Sequence, residues 1–327
     1  MTIRVQRPRS LRSLPCLFLC GALLPWAVLA GCASESAPSA EEMAAHREEV
    51  EAWRSERLER LRAEEGWLTL VGLDWLSEGA NAVGSDPGAT VVLPAGKAPE
   101  RLGVIHRNAE GLRFEAAADL PDAGEGLVVG EEPLAAGESR VLQSDASGEA
   151  TTIAWGDLSF FPIERGDRVG MRIKDRQSAT RLDFPGIEIY PVSFDWRLAA
   201  SFEAHDPPRT LPIVNVLGQV EDTPSAGAIV FEHAGQTHRL DVMGDFEGGE
   251  AFVVFGDATN GDTTYGGGRF LYAPAPDEEG RLVLDFNRAY NPPCAFTAFS
   301  TCPLPPAQNK LPVAVTAGEK RFAEPKA

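Results

Sequence analysis

The chain has 327 residues, with 48 Asp and Glu against 30 Lys and Arg, and a formal charge of −18 at pH 7. A surface that acidic repels polyanions, which argues against nonspecific binding to nucleic acid or to anionic lipid headgroups. The length exceeds what one small core usually needs and implies roughly two domains.

The first segment reads as an export signal. Arg4, Arg7, Arg9 and Arg12 form a basic stretch without an acid, and Leu14 to Ala30 is almost wholly apolar. Pro15 and Pro25 make that run a poor stable helix, and it is short for a span of ~20 residues. Its end, Leu29-Ala30-Gly31-Cys32, resembles the lipobox of bacterial lipoproteins, which implies removal of residues 1–31 and a diacylglycerol on the Cys32 thiol. Residues 32–40 are then a lipidated tether, and loss of the four arginines takes the formal charge from −18 to near −22. Ala33, rather than an aspartate, after the lipid site implies the periplasmic face of the outer membrane if the cell is Gram-negative.

Residues 41–65 predict an amphipathic helix, dense in Glu, Arg and Ala and free of Gly and Pro until Gly66. Met43, Val50, Trp53 and Leu61 lie close to one stripe, while Glu51, Glu56 and Glu59 each precede an arginine by three or four positions, as on a solvated face. The expected role is a brace packed on the first domain.

From Gly66 short apolar or alternating runs sit between Gly, Asp, Asn and Pro breaks. Strands are expected at 90–93, 103–106, 112–115, 126–129, 140–142, 151–155, 158–163 and 168–173, which makes 66–180 a first β-domain of sandwich or barrel type. No Gly-rich phosphate loop or alternating helix pattern appears, which argues against a doubly wound α/β fold. After a turn at Asp183-Phe184-Pro185-Gly186, a second β-domain, 181–327, is expected from runs at 197–202, 211–216, 228–232, 238–242, 251–255, 268–272 and 282–287. Asp277-Glu278-Glu279-Gly280 reads as the hairpin loop joining the last two. The fold class is therefore mainly β, two sandwich- or barrel-like domains behind one helix.

Three stretches carry a resemblance. Gly66-Trp67-Leu68-Thr69-Leu70-Val71-Gly72-Leu73-Asp74-Trp75-Leu76, then Phe255-Gly256-Asp257-Ala258-Thr259-Asn260-Gly261 with Thr264-Tyr265-Gly266-Gly267-Gly268-Arg269, and then Asp285-Phe286-Asn287-Arg288-Ala289-Tyr290-Asn291-Pro292-Pro293-Cys294 resemble, in order, domain-of-unknown-function family 1684 of bacteria and archaea. The resemblance implies no particular activity. Within the first domain, Val83-Gly84-Ser85-Asp86-Pro87 and His106-Arg107 look like the opening of a forkhead-associated sandwich. That resemblance implies the architecture only, because Ser85 stands where that family places an arginine for phosphothreonine.

Candidate chemistry concentrates in the second domain. Cys16 and Cys20 leave with the signal and Cys32 takes the lipid, so Cys294 and Cys302 remain as a pair in a compartment that permits disulfides. Two readings stand: a disulfide pinning the loop, which an exported setting favours, or a Cys294 nucleophile whose pKa is lowered by Arg288 or Arg269. Arg269 could clamp a carboxylate or phosphate with its planar fork, or simply pair with Asp257 or Asp285. Tyr265, Asn287, Tyr290 and Asn291 are suited to hydrogen-bonding a small polar ligand.

Calcium at Asp257 and Asp262 lacks the EF-hand spacing, and zinc at His233 and His238 lacks a supporting Cys pair. Those histidines read instead as exposed hairpin residues. His205-Asp206-Pro207-Pro208 reads as a polar turn before a strand. No metal or cofactor is implied. The leading functional expectation is a lipid-anchored envelope protein that binds a small polar or anionic ligand, with the membrane reached through Cys32 and no nucleic-acid partner. The alternative is a hydrolase or thiol enzyme using Cys294 with Asp257, Arg269 and Asp285.

Overall fold

The computed structural model describes residues 37–120 and 126–322. The segment read as an export signal and Cys32 lie outside the described residues. No described helix is long and apolar enough to cross a membrane.

The helix α1 spans Ala40–Arg62. Its buried stripe is His46, Val50, Arg57 and Leu61, so it is half polar, and Met43 is exposed. That composition decides where it docks. His46 Nε2 lies 2.8 Å from Asp285 Oδ2, Arg57 Nε donates to Glu319 Oε1 at 3.1 Å, and Arg54 Nη2 donates to the carbonyl of Asn287 at 3.4 Å. The helix is thus a brace on the C-terminal cassette and not, as expected, chiefly on the first domain.

The first β-region contains β1 (Leu70–Trp75), β2 (Gly79–Gly84), β3 (Val91–Val92), β4 (Gly103–Asn108), β5 (Gly111–Ala116), β6 (Leu127–Val129), β7 (Glu132–Pro133), β8 (Ser139–Leu142), β9 (Ile153–Trp155), β10 (Leu158–Arg165) and β11 (Arg168–Asp175). They form two sheets, ordered β1-β11-β10-β9-β6-β7 and β3-β2-β4-β5-β8. Alternation drives the packing: in β5 the burial pattern switches at every residue, sending Leu112, Phe114 and Ala116 inward. They meet Ile153, Phe160 and Ile173 from the opposite sheet in one core, and Phe114 and Phe160 sit edge to face at 6.4 Å between ring centres. Ser85, at the position that separates this chain from phosphothreonine readers, donates to the Ala98 carbonyl at 2.8 Å.

A short helix, α2 (Ala179–Leu182), capped by the Ser178 hydroxyl, leads into the second β-region. Its strands are β12 (Arg197–Val214), β13 (Val220–His233), β14 (Gln236–Asp241), β15 (Glu250–Phe255), β16 (Arg269–Pro274) and β17 (Arg281–Asp285). The two runs expected at 197–202 and 211–216 are one long strand whose register shifts between Ala204 and Arg209. His205-Asp206-Pro207-Pro208 lies at that irregularity rather than in a turn, and His205 is buried with Nε2 at 3.7 Å from Asp241 Oδ1. The predicted β16–β17 hairpin is also different. Its loop forms, held by Asp277 accepting from the Arg281 and Glu279 amides. However, β17 pairs with β12, and β16 with β15. Pro274 and Pro276 beside the loop have no N–H to donate to a β16–β17 ladder.

The four-stranded sheet β14-β13-β12-β17 and the ribbon β15-β16 enclose a second core that includes Ile229, Phe231, Val253, Leu271 and Phe286. The chain from Phe286 to Phe322, made mostly of turns and single-residue bridges, closes one side of it through Ala289, Leu311, Val315 and Ala317. His238 is buried against Phe231 and His233 stacks on Trp196, so these are packing residues and not exposed hairpin histidines.

Candidate functional site

At the end of β17, Asp285 caps the turn Phe286–Arg288. Its Oδ1 accepts from the Asn287 backbone at 3.0 Å and from Asn287 Nδ2 at 2.8 Å. Asn287 in turn grips Ser193, accepting from its N–H at 2.9 Å and donating to its carbonyl at 2.8 Å. Asn291 donates to the Lys320 carbonyl at 2.8 Å, and its backbone N–H donates to Glu319 Oε2 at 2.7 Å. Both amides are fully enclosed, so their donors hold chain segments together.

Arg269 is also fully enclosed. One Nη donates to Asp257 Oδ2 and to the Val315 carbonyl, both at 2.9 Å, and the other to the carbonyls of Ala317 and Glu319. Of the two readings of this arginine, the geometry supplies the pairing with Asp257. Burial depresses its pKa, and the Asp257 charge opposes that shift. Asp257 additionally accepts from the Thr259 amide at 2.8 Å, while Asp262 is exposed. Gly268, with φ +85°, makes this closeness possible: a Cβ there would stand 2.4 Å from Pro305 and 2.6 Å from the Phe255 carbonyl.

Tyr290 lies on the outer side of the cassette. Its ring packs edge to face with Phe270 and stacks on Tyr272, and the Arg57 guanidinium sits 4.5 Å from its centre. Burial raises the pKa of this phenol. With Trp67, Phe252 and Phe270 it lines an aromatic cleft of about 230 Å³. Nearby, Tyr265 donates its hydroxyl to the Cys294 carbonyl at 3.2 Å.

Cys294 and Cys302 are brought together as expected, but both are free thiols, so the expected disulfide is not formed in this structure. Asp257, Arg269 and Asp285 are not bonded to Cys294. Arg269 and Asp257 hold one another, and Asp285 faces His46. Arg288 lies 3.6 Å from Glu49 and 3.7 Å from Asp285. The cation near the thiols is instead Arg172 of β11, whose Nη2 donates to Thr301 Oγ1 at 3.4 Å.

A separate cleft of about 730 Å³ opens between the end of α1 and three loops. Arg62, Lys320 and Arg321 line it with Glu188, Asp262 and Thr263. Arg62 is tied to the Phe184 carbonyl at 3.2 Å, Lys320 Nζ stands 3.6 Å from Glu188, and Arg321 is exposed with no ion pair among the described residues. This cationic wall escaped sequence reasoning because its residues come from opposite ends of the chain. The one available signal was the scarcity of lysine, which makes Lys320 noteworthy among only five.

Comparison with known proteins adds a family without an activity. Residues 182–320 match the model of the family described as "Protein of unknown function (DUF1684)". The Gly66–Leu76 motif lies outside the matched span. The solution NMR structure of an uncharacterized protein of Haloarcula marismortui is 32% identical, covering 45% of this chain and 82% of that one, with a TM-score of 0.37. No curated protein matches.

Proposed function

We propose that this is an exported protein, anchored by a lipid on Cys32 at the periplasmic face of the outer membrane where the cell has one, that binds a small anionic ligand. The ligand would lie in the cleft bounded by Arg62, Lys320 and Arg321. The observation that carries the reading is this cleft itself, because it gathers three cations in a chain of formal charge −18. Its volume of about 730 Å³ suits a small molecule. Arginine supplies a planar fork for carboxylate or phosphate, and Arg321 is unpaired and exposed. Glu188 and Asp262 on the same rim would accept hydrogen bonds from hydroxyl groups of the ligand. Leu58, Ile187 and Phe322 add apolar wall for the ligand's carbon skeleton.

Calorimetric titration with inorganic phosphate, citrate and a hexose phosphate tests this reading. At least one should bind saturably, and Arg321→Gln should weaken it about tenfold or more, equal to ~1.4 kcal/mol. Equal binding by the wild type and Arg321→Gln would refute the site. Cys32→Ser should move the protein from the membrane fraction to the soluble fraction, and unchanged membrane association would refute the anchor.

A further inference from the structure

Cys294 and Cys302 occupy an asymmetric, polar setting. The chain turns at Pro293–Ala295 and returns so that each sulfur receives the other residue's backbone N–H, at 3.2 Å for Cys302 Sγ and 3.3 Å for Cys294 Sγ. Ser300, itself buried, donates its hydroxyl to Cys294 Sγ at 2.9 Å and accepts from Cys302 Sγ at 3.5 Å. Cys294 Sγ therefore receives two of these donors against one for Cys302 Sγ, whose own thiol hydrogen can turn to Ser300 or to Cys294. Cys294 is also only partly buried, whereas Cys302 is buried.

The charges around the pair supply a second, independent observation. Arg172 is only 5% exposed, forms no ion pair among the described residues, and has a buried Nε without a hydrogen-bond partner. Arg165 from β10 reaches the same corner, donating to Thr301 Oγ1 at 2.9 Å, but it has its own counter-charge in Asp145 at 2.8 Å. The Tyr265 phenol also reaches this corner, bonded to the Cys294 carbonyl. Arg172 has no carboxylate within ion-pair distance among the described residues, and the charges that favour its protonated form are Asp145, then Cys302 and Cys294, so the two sulfurs face a buried guanidinium whose carboxylate is shared with Arg165. Hydrogen bonding from Cys302, then Ser300, the Cys302 amide and the Arg172 charge bring the Cys294 pKa down from 9.0 to about 6 against the effect of burial. The bond to Cys294, followed by burial, pushes Cys302 upward and keeps it protonated.

We propose that Cys294 and Cys302 form a thiol–disulfide exchange site, with Cys294 attacking a small-molecule or peptide disulfide and Cys302 resolving the product. The Cys294 thiolate forms a bond to one sulfur of the incoming disulfide, whose own S–S bond breaks and releases a thiolate that takes up a proton. Cys302 then loses its proton to solvent and attacks Cys294 Sγ, forming the internal disulfide and expelling the second thiolate, which is protonated in turn. One disulfide is reduced to two thiols, and the two protein thiols are oxidised. The less buried of the two cysteines is the one with thiolate character, which is the order of attack the first step requires.

The test uses the full-length reduced chain, glutathione disulfide as the probe, and peptide mass mapping to separate this pair from the N-terminal cysteines. The wild type should lose two hydrogens across Cys294 and Cys302 and retain no glutathione. Cys302→Ser should trap one glutathione on Cys294, and Cys294→Ser should label Cys302 at least tenfold more slowly. Equal trapping in both variants, or glutathione retained by the wild type without an internal bridge, would overturn the proposal. If either variant fails to fold, the pH profile of iodoacetamide labelling in the wild type decides. A Cys294 midpoint near 6 with Cys302 unlabelled supports the site, whereas a midpoint near an ordinary ~8.5, or equal labelling of both, overturns it.

Discussion

In the first β-region two sheets meet through side chains such as Phe114, Phe160, Ile105 and Ile173, and the contact between them is hydrocarbon. In the second, one side of the core is closed by irregular chain, and buried polar groups do the closing. Arg269 gathers three carbonyls from 315–319, and Asn309 donates to the carbonyls of Asp241 and Val254 while accepting from the Asp241 amide. The difference follows from backbone bookkeeping. A strand satisfies its own N–H and C=O groups through its ladder, so its side chains are free to be apolar, whereas a buried segment without a ladder must borrow partners from side chains. Asn81, which binds Ser77, Gly79 and Ile105 at the β1–β2 turn, follows the same logic in the first region at the point where its ladder is interrupted.

This contrast can be broken by mutation. The largest effect is expected from Arg269→Met, which leaves Asp257 buried without its partner and strips the 315–319 carbonyls. It should destabilise by about 3–5 kcal/mol in urea unfolding, and a loss under ~1 kcal/mol would remove the distinction between the regions. Asn309→Ala should cost about 2–3 kcal/mol through three unmade bonds. Its hydrogen-exchange signature should be faster exchange at Asp241 with protection in β4 and β5 unchanged. The smallest loss belongs to Phe160→Leu, at about 1–1.5 kcal/mol, because an apolar core without polar partners tolerates hydrophobic exchange. If Phe160→Leu proved costlier than Arg269→Met under the same denaturant, the two cores would have to be reinterpreted.

Most of the strands were legible because alternation and turn residues act within a few positions. The runs at 103–106, 112–115, 158–163, 228–232 and 251–255 all lie within strands. The β1 and β2 segments were missed because Gly72, Gly79 and Gly84 dilute their pattern. At the candidate sites, the approach of Cys294 to Cys302 was readable from cysteine arithmetic, and the pairing of Arg269 with Asp257 was one of the alternatives on offer. The enclosure of Asn287 and Asn291 was not readable, since an amide that binds a ligand and one that holds Ser193 or Lys320 have the same local sequence.

Sequence alone thus determined the β class, the presence of the N-terminal helix and the nearness of the two cysteines, all of which depend on residue type and short spacing. Tertiary structure alone decided that β17 joins β12, that α1 braces the cassette through His46 and Arg57, and that Arg172 rather than Arg269 or Arg288 faces the thiols. Arg172 and its partner Thr301 are 129 positions apart. An ion's role is set by which counter-charge and how much water surround it, and only the folded chain brings those neighbours together.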